Sequence, residues 1–366
     1  METLSPLETE IRRRIAAAGP MPVAEYMALC LTDSEHGYYT TRDPFGAQGD
    51  FITAPEISQM FGELIGLWMA AVWKQMGAPE NVRLIELGPG RGTLMKDALR
   101  AAKVMPAFRE AVVLHLVEIS PALEAQQERT LEHLSLPMFW HPALEDVPAG
   151  PSIIVANEFF DALPVNQAVK SGHHWHERRI GIDDNGNLAF TVAPDPLPHF
   201  ERLLPADVRD ATEGTIFEWR ADTAAMELGK RVARDGGAAL VIDYGHGESG
   251  AGDTLQAVGQ HAYMDPLGAP GSIDLTAHVD FQALMRAGEA MGAEGFGPIE
   301  QAVLLRRLGI ETRAASLKAK ASSAAANEID LALERLTGRS RAGMGMLFKA
   351  AAFAHKSVGV PPGFAD

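Results

Sequence analysis

The chain has 366 residues, 46% of them hydrophobic and 22% charged, with a formal net charge of −16. That length accommodates one large α/β domain with insertions or two smaller domains, and the acidic balance disfavours nucleic acid and anionic membrane surfaces as partners. A single cysteine, Cys30, excludes an internal disulfide framework and a cysteine-based zinc site.

The first ten residues include Glu2, Glu8 and Glu10 and lack the basic and apolar regions of a secretory signal, so a cytoplasmic location is expected. Leu7 to Cys30 reads as helices around the break Gly19-Pro20-Met21-Pro22. Thr53-Ala54-Pro55-Glu56 has the spacing of a capping box, and the helix it should start places Ile57, Phe61, Leu64, Trp68 and Val72 on one face. The apolar stretch from Ile57 to Trp73 is interrupted by Gln59, Glu63 and glycines, which makes it too polar to cross a bilayer.

From Val82 onward, apolar runs alternate with helical segments as in βαβ units. Strands are predicted over 83–87, 111–117, 137–141, 152–156 and 238–242. Several are continuous Val/Ile/Leu runs, as suits parallel strands covered on both faces. An insertion of about 169–225 carries a hairpin, 175–182 with 187–192, around Asp183-Asp184-Asn185-Gly186. His173, His174 and His176 cluster at that hairpin's edge, and no metal site is predicted there. A last strand pair is expected around 300–305, and an alanine-rich helix over 314–336.

The first predicted strand runs into Glu86-Leu87-Gly88-Pro89-Gly90-Arg91-Gly92-Thr93. Glycines at a strand-to-helix turn let a ligand approach the backbone, and the N–H groups of the helix start then face it. Glu86 is an odd residue to bury unless something cationic or hydroxylated meets it. A dinucleotide fingerprint needs a third glycine or alanine where Thr93 stands, and Glu86 would repel a pyrophosphate. The turn therefore points to S-adenosylmethionine (SAM), with its ammonium and sulfonium, ahead of a nucleotide cofactor or a bare structural turn.

Ligands of such sheets sit at the carboxyl ends of the strands. The second strand ends in Glu118, which can accept ribose hydroxyls or complement a helix dipole. The fourth ends in Asn157-Glu158-Phe159-Phe160-Asp161, two acids three residues apart between aromatics. Apolar neighbours raise carboxyl pKa values unless a cation is present, and arginine pairs bidentately with carboxylates while keeping its charge. Two exposed acids capping a helix is the plainer alternative. The fifth strand ends in Asp243-Tyr244-Gly245-His246, a proton acceptor or substrate wall.

The stretches 49–58, 86–94, 157–164 and 243–246, in this order, resemble the MidA-like family, class I SAM-dependent methyltransferases related to the mitochondrial complex I assembly-factor arginine methyltransferase. The resemblance runs from about Tyr26 to Leu305. It implies an α/β fold with a Rossmann-like core over 81–168 and 226–310, mostly parallel and flanked by helices. Around it an N-terminal helical region (1–80), an inserted cap (169–225) and a C-terminal helical tail (311–366) are expected. It also implies SAM as methyl donor and symmetric dimethylation of an arginine on a complex I subunit. Carried over by position, Glu86, Gly88, Gly90, Gly92 and Thr93 hold the methionine part, Glu118 the ribose, and Asp50 and Thr53 close over the cofactor. Asn157, Glu158 and Asp161 border the reaction centre, with His246 as a further candidate. A protein substrate is expected, with no nucleic acid, membrane insertion or metal; a homodimer is left open. A non-catalytic SAM-binding assembly chaperone and a small-molecule methyltransferase are the other readings.

Overall fold

The structure is a computed structural model that describes residues 4–41, 53–259, 262–340 and 343–365. Its centre is one seven-membered run of strands. Five lie parallel: β1 (Val82–Leu87), β2 (Val112–Val117), β3 (Met138–His141), β4 (Ser152–Asn157) and β5 (Gly237–His246). Two antiparallel strands, β6 (Glu294–Glu300) and β7 (Phe348–Ala354), complete the order β6-β7-β5-β4-β1-β2-β3. Successive side chains alternate between two apolar layers. Leu84, Ile153, Val155 and Leu240 enter one core, and Ile85, Ile154, Ala239 and Val241 enter the other. Burial on both faces explains why the inner strands read as largely apolar runs.

One layer is closed by α1 (Gln59–Gln75) and α2 (Thr93–Ala101). They cross closely: a Cβ on Gly66 would lie 2.3 Å from the Ala98 carbonyl oxygen. Beside the crossing, buried Glu63 receives Arg313 at 2.6 and 2.8 Å and Arg100 at 2.9 Å. The opposite core is shared with two helices, Thr223–Asp235 and Phe281–Ala290. The inserted region builds a second antiparallel sheet, edged by Met21–Pro22 from the N-terminal region, whose hairpin strands are His174–Ile182 and Leu188–Pro196.

Four expectations are corrected. The strand pair expected around 300–305 is β6 followed by a helix, Gln301–Arg307, and the partner of β6 is β7. The tail expected to be helical thus supplies a central strand. Ala350, Ala351 and Ala352 are fully buried there, so packing between β5 and β6 overrides alanine's helix preference. The single helix expected over 314–336 is two, Ile310–Lys318 and Ser323–Thr337, the second capped by the Ser322 hydroxyl. The capping box at Thr53 is not formed. Only one helical turn, Ala54–Ile57, follows Thr53; Ser58 then starts α1 with its own side-chain cap. The Glu56 carboxylate is drawn instead to the Thr93 hydroxyl, at 2.5 Å. No helix among the described residues is long and apolar enough to cross a membrane.

Candidate active site

The order of strands reverses at β1, with β4 on one side and β2 on the other, so the crevice opens above their carboxyl ends. Gly88 and Gly90 of the β1–α2 turn have φ of +63° and +54°, backbone that favours glycine. A Cβ on Gly88 would lie 3.0 Å from the Phe159 ring. Glu86 is 3% exposed and its Oε2 has no hydrogen-bond partner. Burial pushes its carboxyl well above the ordinary range, and nearby Glu118 adds to the effect. A buried carboxyl oxygen without a donor is costly, and a bound ammonium would relieve it.

A cavity of about 390 Å³ lies over these strand ends. On its β2 side, Glu118 Oε1 accepts the N–H groups of Ile119 (2.9 Å) and Ser120 (2.8 Å), and Oε2 accepts the Gln127 amide (2.9 Å). Burial raises its pKa, and these donors pull the other way. Lone pairs remain to accept hydroxyls. On the expectation that Glu118 holds the ribose, Glu118→Ala should weaken SAM binding about ten- to a hundredfold by calorimetry; unchanged affinity would remove that expectation.

On the β4 side the chain turns sharply at Glu158, whose φ of +50° is unusual for a residue with a side chain. Asp243, fully buried on β5, holds this turn. Its Oδ2 accepts the N–H groups of Phe159 (3.2 Å), Phe160 (2.9 Å) and Asp161 (3.2 Å), and its Oδ1 that of Tyr244 (2.9 Å). Strain of this kind persists where surrounding bonds over-determine it. The Glu158 carboxylate accepts Ala54 N–H at 3.0 Å and the Asn157 amide at 3.2 Å. Burial pushes its pKa up to about 7; those two donors oppose the rise and Asp161 adds to it. The Oδ1 atoms of Asn157 and Asp161 are buried without partners. Behind them Arg220, from the inserted sheet, donates to the carbonyls of Leu163, His278, Asp161 and Ala277. Burial raises the carboxyl pKa of both Asp161 and Asp243, and the Arg220 charge opposes that rise.

Thr53, Gly88, Gly90, Glu118, Glu158 and Asp161 thus line one cavity. Glu86, Thr93 and Asn157 line a small recess that shares Thr53, Gly88, Gly90 and Glu158 with it. Gly92 sits behind, at the start of α2. His246 does not join them. It borders a separate hollow of about 1120 Å³, and its Nδ1 lies 2.7 Å from the Glu248 carbonyl oxygen. Asp50 lies outside the described residues. Among the described residues there is no cluster of three or more metal-ligating side chains.

Several lining or supporting residues escaped the sequence: Gln127, Arg220, and the pair Tyr39 and Asp274, whose hydroxyl and carboxylate oxygens are 3.0 Å apart. None stands in a motif. Asp243 stood in the stretch read as a proton acceptor or substrate wall, and here it binds the backbone of the turn after β4.

Residues 64–299 match the profile of a family of S-adenosyl-L-methionine-dependent methyltransferases. The chain is 40% identical to the Drosophila melanogaster "Protein arginine methyltransferase NDUFAF7 homolog, mitochondrial", covering 94% of this chain and 83% of the relative. It is 38% identical to the Homo sapiens "Protein arginine methyltransferase NDUFAF7, mitochondrial", covering 85% and 75%. In fold it is similar to a Burkholderia thailandensis protein crystallised with S-adenosyl-homocysteine, at a TM-score of 0.85 and 30% identity, over 100% of this chain and 98% of the other. The expected cytoplasmic location is corrected here, because the curated relatives are named as mitochondrial proteins.

Proposed function

This chain belongs to the S-adenosyl-L-methionine-dependent methyltransferases, and from that premise we propose that it methylates the guanidinium of an arginine in a protein substrate. The glycine turn, the orphaned Glu86 oxygen and the Glu118 acceptors fit the methionine ammonium and the ribose of SAM. When bound, SAM supplies a methyl group on a sulfonium, already a good leaving group.

One observation carries the choice of substrate. Six carboxylates (Glu118, Glu145, Glu158, Asp161, Glu227 and Asp274) line the 390 Å³ cavity, and no Lys, Arg or His side chain does so among the described residues. Such a pocket favours cations and repels anions. A guanidinium with a pKa above 12 cannot lose its proton beforehand. Asp161, with an unpartnered oxygen, orients it, and Glu158, poised near neutrality, takes up its proton as the nitrogen is alkylated. Asn157 keeps Glu158 in place. The insertion 169–225 serves as substrate cap, a role supported by Arg220 reaching from it to the backbone behind Asp161. The names of the relatives support a protein arginine as acceptor. The resemblance to the complex I assembly-factor family supports a complex I subunit and symmetric dimethylation.

Incubation with methyl-labelled SAM and a mitochondrial lysate tests this reading. We expect label in one protein band, with dimethylarginine in its hydrolysate. Label in the low-mass fraction would overturn it in favour of a small-molecule acceptor, and no transfer beside intact SAM binding would favour an assembly chaperone.

A further inference from the structure

Gln127 is fully buried in the middle of a helix, Pro121–Leu131, that contributes Leu123 to the cavity wall. Every polar atom of its side chain is engaged. The amide nitrogen donates to the Gly90 carbonyl at 2.8 Å and to Glu118 Oε2 at 2.9 Å. The amide oxygen accepts the Trp140 indole N–H at 2.8 Å. The indole can only donate, so it fixes which end of the amide faces the glycine turn. One side chain therefore ties the turn after β1 to the acid after β2, and β3 sets its orientation.

We infer that Gln127 is a positioning residue for the cofactor: it sets the distance between the glycine turn and Glu118 and keeps the Glu118 carboxylate as an ionised acceptor for the ribose hydroxyls. The inference rests on the reading of Glu118 as the ribose acceptor. The surroundings of Glu118 make the donor matter. Glu124, on the same helix as Gln127, faces it with like charge, and the carboxyl of Glu86 on β1 is itself pushed up by burial and by Glu118. His141 on β3 is turned to His115, 2.9 Å away. The backbone N–H groups of Ile119 and Ser120 occupy only its other oxygen. Among the described residues, Gln127 supplies the one side-chain hydrogen bond to Oε2.

The test is the SAM dissociation constant of the full chain at pH 6, 7 and 8, by calorimetry, for the wild type, Gln127→Glu, Trp140→Phe and Glu118→Ala. Gln127→Glu keeps the shape but, once ionised, sets a second carboxylate against Glu118 and against the Gly90 carbonyl. It should bind at least about thirtyfold more weakly at pH 8 and recover most of the loss at pH 6, where the introduced carboxyl is protonated and can donate. Each loss is taken against the wild type at the same pH, which divides out the pH dependence that Glu86 and Glu118 contribute themselves. Trp140→Phe, which frees the amide to flip, should weaken binding about three- to tenfold. A merely structural role for Gln127 would give no such pH dependence in a folded variant. Wild-type affinity for Gln127→Glu at all three pH values would overturn the inference, as would wild-type affinity for Trp140→Phe should Gln127→Glu not fold. If Glu118→Ala alone binds normally, the ribose reading fails instead.

Discussion

Glu158→Gln should bind SAM with near wild-type affinity and lose methyl transfer by about a hundred- to ten-thousandfold, the range typical of removing a general base. The amide is isosteric, and its oxygen can still accept the Ala54 N–H at the start of the helical turn after Thr53. What it cannot do is take a proton. The wild-type pH profile carries the same signature with a definite sign. The carboxyl has its pKa raised to about 7, chiefly by burial, so it is protonated and inactive below that value. At limiting SAM and substrate, where kcat/KM reports the free enzyme's groups, the rate should rise as pH increases through about 7 and then level off. The variant should lack this limb. Normal turnover, or an unchanged profile in Glu158→Gln, would exclude Glu158 as the proton acceptor.

Gly90→Val should abolish detectable cofactor binding in calorimetry while the circular dichroism spectrum stays native. Gly90 has φ +54°, where a β-branched residue is a strong outlier. Its relaxation would displace the turn from the Gln127 amide that holds its carbonyl. A control separates backbone strain from ligand contact. Gly172→Val places the same side chain at φ +57°, in a turn where a Cβ meets nothing within 4 Å; it should cost stability but leave SAM binding unchanged. Retained binding in Gly90→Val would make the turn a structural feature only.

How much of this was readable in advance follows from the kind of burial involved. Four of the five parallel strands were legible because both faces are largely covered, leaving apolar runs such as Ile153–Ala156; β3, at the edge, is only partly buried. β7 was not, since a buried strand of Phe348-Lys349-Ala350-Ala351-Ala352 has helical composition and only its neighbours make it extended. Glu86 and Glu118 stood out as acids at the ends of apolar strands. Gln127, Arg220 and Asp274 reach the site from the middle of a helix, from the insertion and from a separate small sheet, and only tertiary packing brings them there. Proximity in sequence misled at His246. It lies two residues past cavity-lining Tyr244, about 6–7 Å further along the strand, where β5 has begun to pair with Val279–Asp280 and the side chain borders the other hollow.

The most direct test is a crystal structure of the full chain with S-adenosyl-homocysteine and an arginine-containing peptide. The account predicts ribose hydroxyls on Glu118, the methionine ammonium beside Glu86, and the sulfur facing a guanidinium held by Glu158 and Asp161. A sulfur directed away from those two acids, or a peptide arginine seated in the hollow bordered by His246, would contradict it.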